Sequence, residues 1–373
     1  MNILFIVGSA DLGTDGVGDY TRRLAAKLQA IGYQVLIIAT HDRKATRVFK
    51  EEQSCDEEHI LTFRIPKSCK SKERFEIIQE CINLYSLDWV SLQYVPHSFH
   101  LKGLPIYFIH KLLITVHSLN LHVMFHELRQ GMELEASFYS RTLGYVQEKI
   151  FSKILKSESF KLGHTQATPY LSTLENYTSK VKKLSLPSNI SFSNETPCER
   201  EANIINFVFF GGISKDNCFS SLLNSIDQYS RRFSKGVTIN FVGRNGSQKE
   251  FFIKQAAEID NPLVATLDHG AGSVKFVSEI LQRMDVGVTT FPITMVEKSG
   301  SVAAYQLHGI PTLSIAQNWT LRGPKEKVEI RGVINYKTDT FESDIRQLLN
   351  QEVVGVSIEG VVEQFVSDLL EET

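Results

Sequence analysis

A chain of 373 residues is long enough for two hydrophobic cores, because single cores stop growing near about 250–300 residues. Its 42% hydrophobic and 22% charged content is that of an ordinary soluble protein, and a formal net charge of -2 gives no global positive field to draw nucleic acid. No 18-residue run is apolar enough to span a membrane, the opening MNILFIVG lacks the basic segment of a secretory signal, and Cys55, Cys69, Cys81, Cys198 and Cys218 are too scattered for a disulfide framework or a zinc cluster. A cytosolic protein with reduced thiols is the expectation.

The apolar run Asn2–Val7 predicts a strand buried on both faces. A glycine-rich turn follows, Gly13 to Asp19, and then a helix from about Asp19 to Ala30 with Tyr20, Leu24 and Leu28 at helical spacing. Gly32 ends it and residues 34–39 read as the next strand, which completes a β-α-β unit. Strands are expected near 59–64, 89–94, 121–125, 159–165 and 182–186. Helices are expected near 74–85, 104–113 and 133–155.

Residues 187–202, rich in Ser, Asn, Pro and Glu, lose the hydrophobic period and read as a linker. The alternation then restarts with strands at 204–210, 237–242, 264–267, 286–289 and 312–315. Helices are expected near 217–231, 248–259, 274–283, 300–308, 341–349 and 358–370. The fold class is therefore α/β, with two doubly wound Rossmann-like domains at 1–195 and 203–373. The last helix packs either with the second domain or back on the first. Two such domains create a cleft at the carboxyl ends of their strands, where helix N-termini and loop amides converge.

Three loops fit a phosphate. Gly16-Val17-Gly18 offers close backbone approach, although the G-x-G-x-x-G spacing is absent, so Asp42 at the next strand end is a weak ribose ligand. The alternative for this turn is purely structural, with Asp19 capping the helix. Gly211-Gly212, directly after a strand, permits a tight turn beside a ligand, and Lys215 either neutralises phosphate or lies in solvent. In Glu297-Lys298-Ser299-Gly300-Ser301, Lys298 is a point charge, and the serines and first-turn amides match diphosphate oxygens. Glu297 matches sugar hydroxyls. Its bland alternative is Ser299 or Ser301 as a helix cap and a solvated Glu297–Lys298 pair.

His126 and Glu127 follow a buried strand and so belong at a rim. His126 suits a sugar hydroxyl or the departing diphosphate, whereas Glu127, its neighbour, points the other way along a strand. His122, inside the strand, is a poorer candidate. Residues 93–99 form another rim loop that either recognises an acceptor or packs its aromatics. His269-Gly270 ends a strand where a nucleotide base would pass. No Asp-x-Asp motif occurs, so a metal-independent reaction with no tightly bound cofactor is expected, with Lys298 and helix amides as the neutralising charge. Lys102, His110 and Lys111 among apolar segments also fit peripheral attachment to an inner-membrane surface.

On these motifs the chain resembles the retaining glycosyltransferases of the GT-B fold, especially glycosyltransferase family 4. Gly16-Val17-Gly18 resembles the family's N-terminal glycine loop, His126 its strand-end histidine, and Glu297 to Pro311 its donor motif. Bacterial surface-polysaccharide transferases with Gly-Val-Gly-Asp-Tyr, Leu-Gln-Tyr-Val-Pro and Lys-Ser-Gly-Ser-like segments are similar. The resemblance implies retaining transfer from a nucleoside-diphosphate sugar, bound by the second domain, to a glycan, lipid-linked or small-molecule hydroxyl on the first. Two departures stand out. Val296 and Ala304 occupy the positions of the family's two glutamates, and Gly212 that of its arginine. A noncatalytic sugar-nucleotide or partner-binding protein, or a nucleotide-sugar epimerase, are the competing readings.

Overall fold

The computed structural model describes residues 1–372 apart from Thr14, Asp56, residues 194–202, Asp216, Asn318 and residues 323–329. Cys198 and the second part of the expected linker lie outside the described residues. The chain divides into two units, Met1–Ser185 with Ile358–Thr373, and Leu186–Ser357.

The first unit is built on an eight-stranded sheet of β1 (Asn2–Val7), β2 (Gln34–Asp42), β3 (Phe49–Cys55), β4 (Glu58–Pro66), β5 (Trp89–Tyr94), β6 (Asn120–Phe125), β7 (Phe160–Thr165) and β8 (Val181–Lys183). Their order is β3-β4-β2-β1-β5-β6-β7-β8, and only the β3–β4 pair is antiparallel. β3 has no counterpart in the expected elements because Phe-Lys-Glu-Glu-Gln-Ser-Cys is polar along an edge, with only Gln53 buried. The helices are α1 (Gly16–Ala30), α2 (Ser71–Tyr85), α3 (Pro96–Phe99), α4 (Ile106–Thr115), α5 (Phe138–Leu155) and α6 (Thr168–Glu175). α5 starts five residues later than its pattern implies, since Ser137 caps it by accepting from Ser140 N at 3.1 Å.

The second unit carries β9 (Ile204–Phe210), β10 (Gly236–Val242), β11 (Val264–Gly270), β12 (Val286–Thr289), β13 (Thr312–Ser314) and β14 (Val333–Asn335). The strands are all parallel in the order β11-β10-β9-β12-β13-β14. Its helices are α7 (Phe219–Phe233), α8 (Lys249–Ala257), α9 (Val274–Leu281), α10 (Gly300–Leu307) and α11 (Phe341–Leu349). The core packs Phe207, Phe209, Phe241 and Phe252 against Leu222, Ile226 and Ile345. Residues 186–193 group with this unit, whereas the sequence pattern places them at the end of the first domain. Ile190 is buried in this unit's second cluster, Ser193 N donates to Ser278 Oγ at 2.9 Å, and Gln282 Nε2 donates to Ser193 O at 2.9 Å.

The last helix, α12 (Ile358–Glu371), returns to the first unit. It buries Ile358, Val361, Val362, Phe365 and Leu369 as one stripe. Both sheets reverse their winding direction once, between β1 and β5 and between β9 and β12, and ligands of doubly wound folds bind beyond the strand ends at such a point.

Candidate active site

In the second unit the switch point brings the loop after β9 against the start of α10. Gly211 has a φ of +87°, and a Cβ there would lie 3.2 Å from Ser301 Cβ. Only glycine combines that backbone with so close an approach. Asn245, on the loop after β10, donates to Phe209 O at 3.2 Å and Gly211 O at 3.0 Å, which fixes the turn.

Tyr305 bolts α10 in place. Its ring is fully buried, and its hydroxyl accepts from Phe210 N at 2.7 Å and reaches the carbonyls of Val208 at 3.0 Å and Val288 at 3.2 Å. Gly287 on β12 makes room, since a Cβ there would lie 2.4 Å from the ring. The first turn of α10 is thereby held at the ends of β9 and β12. Ser299 is the N-cap, accepting from Val302 N at 3.4 Å, so the capping alternative holds for this hydroxyl, which also meets Ser301 Oγ at 3.0 Å. The amides of Gly300 and Ser301 belong to the turn that an α-helix leaves without intrahelical acceptors. Glu297 and Lys298 end the 3-10 turn Ile293–Lys298 that leads into the cap, both half-buried.

The other members sit along the same rim with unequal claims. Gly212 and Lys215 are exposed. Gly270, with a φ of +69°, accepts through its carbonyl from Gly243 N at 2.7 Å, tying the β11 loop to the β10 loop. His269 turns its ring to the sheet, donating from Nε2 to Asn240 Oδ1 at 2.9 Å, and burial lowers its pKa. A side-chain contact from His269 to a base is at odds with that orientation; the Gly270 backbone is the accessible part.

In the first unit α1 starts at Gly16, three residues earlier than its pattern implies, because Asp15 caps it by accepting from Val17 N at 3.1 Å and Gly18 N at 2.8 Å. Asp19 instead accepts from Gly13 N and Arg22 Nη1. Gly18 packs on the chain's own backbone, where a Cβ would lie 2.8 Å from Ser9 O, whereas Gly16 faces open space. Tyr20, one turn on, lies edge-to-face against His126 at 5.1 Å. The His126 ring is buried, with Nε2 at 2.8 Å from Gln93 Oε1 and Nδ1 at 3.4 Å from Gln166 Nε2. Glu127 is exposed, so the two adjacent residues form no pair.

The hydroxyls of Ser9 and Tyr20 are buried without a hydrogen-bond partner among the described residues, a costly state for a polar group. Asp42 is fully buried and closed to a ribose: Arg64 holds both of its oxygens, at 2.8 and 2.9 Å, and keeps its pKa low against the opposing effect of burial. Of the residue 93–99 loop, Tyr94 and Phe99 pack internally, with Phe99 stacked on Phe108 at 4.7 Å.

No family model and no curated protein matches the sequence. The likeness lies in structure. WaaG, a glycosyltransferase involved in lipopolysaccharide biosynthesis, superposes with a TM-score of 0.56 at 12% identity over 98% of this chain and 93% of its own. The lipopolysaccharide outer core galactosyltransferase WaaB gives 0.57 at 13% identity over all of both chains. The UDP-GlcNAc 2-epimerase of Methanocaldococcus jannaschii gives 0.53 at 10% identity, also over all of both. This is the GT-B fold.

The two positions that correspond to glutamates in the resembled family lie in the core of the second unit. Val296 and Ala304 are fully buried in the second unit's core beside Tyr305, so carboxylates there would be charges without water. Arg244 is exposed on the loop after β10, between Gly243 and Asn245, and its signal in the sequence is Gly-Arg-Asn-Gly after an apolar strand. Among the described residues no group of three His, Cys, Asp or Glu is placed to hold a metal, and no helix is long and apolar enough to cross a membrane.

Proposed function

We propose that this chain is a glycosyltransferase that moves a sugar from a nucleoside-diphosphate sugar to a hydroxyl, with retention at the anomeric carbon. The observation that carries the reading is the pairing of Gly211 with Ser301 at the switch point, where a bare backbone turn meets the first turn of α10. A departing diphosphate there takes the amides of Gly300 and Ser301 and the positive end of the helix, with Lys298, which precedes the cap, and Arg244, next to Asn245, as candidates for counter-charge. The neighbours' names add support: galactosyltransferase, lipopolysaccharide biosynthesis and, for the pneumococcal transferase GtfA (TM-score 0.51, 11% identity), UDP and GlcNAc bound in its complex.

The acceptor binds on the first unit, where the Tyr20 and Ser9 hydroxyls have no hydrogen-bond partner among the described residues and His126 is held by two glutamine amides. A sugar or lipid-linked glycan hydroxyl satisfies those groups. The metal-independent reaction and attachment at the inner-membrane surface belong to the same reading.

A second reading rests on Val296 and Ala304. With apolar side chains where carboxylates would grip donor hydroxyls, the chain binds a sugar nucleotide without turning it over. An epimerase shares the fold as well. One experiment separates all three: incubate the protein with UDP- and GDP-sugars, with and without glycan acceptors, and follow nucleotide release and sugar identity. Transfer supports the proposal, an altered sugar nucleotide without acceptor supports epimerisation, and calorimetric UDP binding with no turnover supports the binding protein.

A further inference from the structure

A run of buried polar side chains crosses the first sheet, and the reading above uses only its end. It starts at Asp368 on α12, whose carboxylate accepts from Lys182 Nζ at 2.8 Å and lies 2.9 Å from His164 Nε2. His164 Nδ1 lies 3.0 Å from His122 Nε2, and His122 Nδ1 lies 2.8 Å from Ser91 Oγ. Gln93 Nε2 meets Ser91 Oγ at 2.8 Å, and Gln93 Oε1 meets His126 Nε2 at 2.8 Å. Ser91, Gln93, His122 and His164 are no more than 1% exposed. They stand at alternate positions of three neighbouring parallel strands, so they share one face.

The donor inventory leaves one direction for this run. Asp368 is held ionised by His164, Lys182 and Gln364 despite the burial that opposes it, so His164 must donate from Nε2. Burial is the leading influence on both interior imidazoles and keeps them neutral; the charged groups they face are Asp368 and Lys182, the latter paired also with Glu371. Neutral His164 then accepts at Nδ1, and His122 donates from Nε2. His122 accepts at Nδ1, so Ser91 donates its only proton. Ser91 must accept from the Gln93 amide nitrogen, which turns the Gln93 oxygen toward His126.

We propose that Asp368 is a positioning residue for His126: through His164, His122, Ser91 and Gln93 it fixes the His126 ring as the Nε2–H tautomer and leaves Nδ1 as the acceptor nitrogen. All the bonds point one way and end on a carboxylate, so each polarises the next. Nδ1 accepts from Gln166 Nε2 at 3.4 Å, the longest contact in the network, and a sugar hydroxyl that engages this nitrogen replaces that amide. Phe365, one turn before Asp368, covers the run edge-to-face on His122 at 5.0 Å. The inference rests on the transferase reading only for what His126 meets; the tautomer stands apart from it.

The test is two-bond proton–nitrogen NMR on the full chain with nitrogen-15 histidine at pH 7. His122, His126 and His164 are expected as single Nε2–H tautomers. Ser91→Ala removes one hydroxyl and breaks the run at its middle. In that variant His126 loses its single tautomer while His164 keeps its own, and kcat falls with donor KM unchanged. Asp368→Asn keeps an acceptor oxygen but removes the charge, and shifts the ring nitrogens of His126. An Nδ1–H proton on any of the three rings in the native chain overturns the proposal. So does an unchanged His126 spectrum in both variants. A native chain that shows these tautomers yet transfers no sugar supports the positioning and overturns only the transferase reading.

Discussion

Gly287→Ala tests the bolt that aims α10. The new methyl would lie 2.4, 2.6 and 2.7 Å from three atoms of the Tyr305 ring, where ordinary contact begins about 1 Å farther out. The ring cannot withdraw freely, because its hydroxyl bonds to β9 and β12 anchor the far end. Overpacking of this severity lies at the upper end of the usual range, ~3 kcal/mol. Tyr305→Ala removes all three obstructing atoms, empties a large buried volume and orphans Phe210 N, for ~4 kcal/mol. In the double variant the added methyl enters space already vacated, so the total should be ~5 kcal/mol, about 2 short of the sum. Urea unfolding read by hydrogen-exchange mass spectrometry assigns the loss to peptides of the second unit. Costs that add within ~0.5 kcal/mol would show that ring and glycine do not meet, and the positioning of α10 would need another cause.

Lys298→Ala should weaken UDP binding about tenfold while leaving uridine binding unchanged, because only the diphosphate meets the lysine; equal losses for both ligands would count against it. Gly18→Ala forces a methyl to within 2.8 Å of Ser9 O, so transfer should fall through displacement of the Ser9 loop, whereas Gly16→Ala enters open space and should leave transfer unchanged. Comparison of the two rates is the check. Stability of the first unit should decrease as pH falls below about 6.5, since His41, lowered to about 3 mainly by burial, and the lowered His122 and His164 stay neutral in the fold but protonate once unfolded. Each group contributes at most ~1.4 kcal/mol per pH unit in that window, and a urea midpoint that is flat from pH 7 to 5 would contradict the assignment.

The two wound sheets were legible because parallel strands buried on both faces write themselves as apolar runs such as Ile204–Phe210. The polar edge strand Phe49–Cys55 and the three-residue β14 carry no such run. Gly211 was legible as a loop residue after a strand, whereas Gly18 reads as part of a turn and in fact lies in the first turn of α1. That Gly16 faces space and Ser299 is spent on a cap depends on where each helix begins, which periodicity fixes poorly. The interior histidines were harder. His122 looked like an isolated strand residue, and its meaning appears only when the register of β5, β6 and β7 sets it beside Ser91 and near His164. One signal was present: Asp368 falls on the apolar stripe of the last helix, where an unpaired carboxylate would not survive.

Because α12 belongs to the first unit, the polypeptide begins one unit, builds the whole of the other, and only then returns to complete what it began. During synthesis the groove awaiting Phe365 and Leu369 stays open until α12 emerges, by which point every strand of the second unit has already left the ribosome. A nascent chain stopped between Ser357 and Ile358 would therefore carry a finished second unit and a first unit with its apolar side bare. Chaperones would have to shield that surface until the helix arrives.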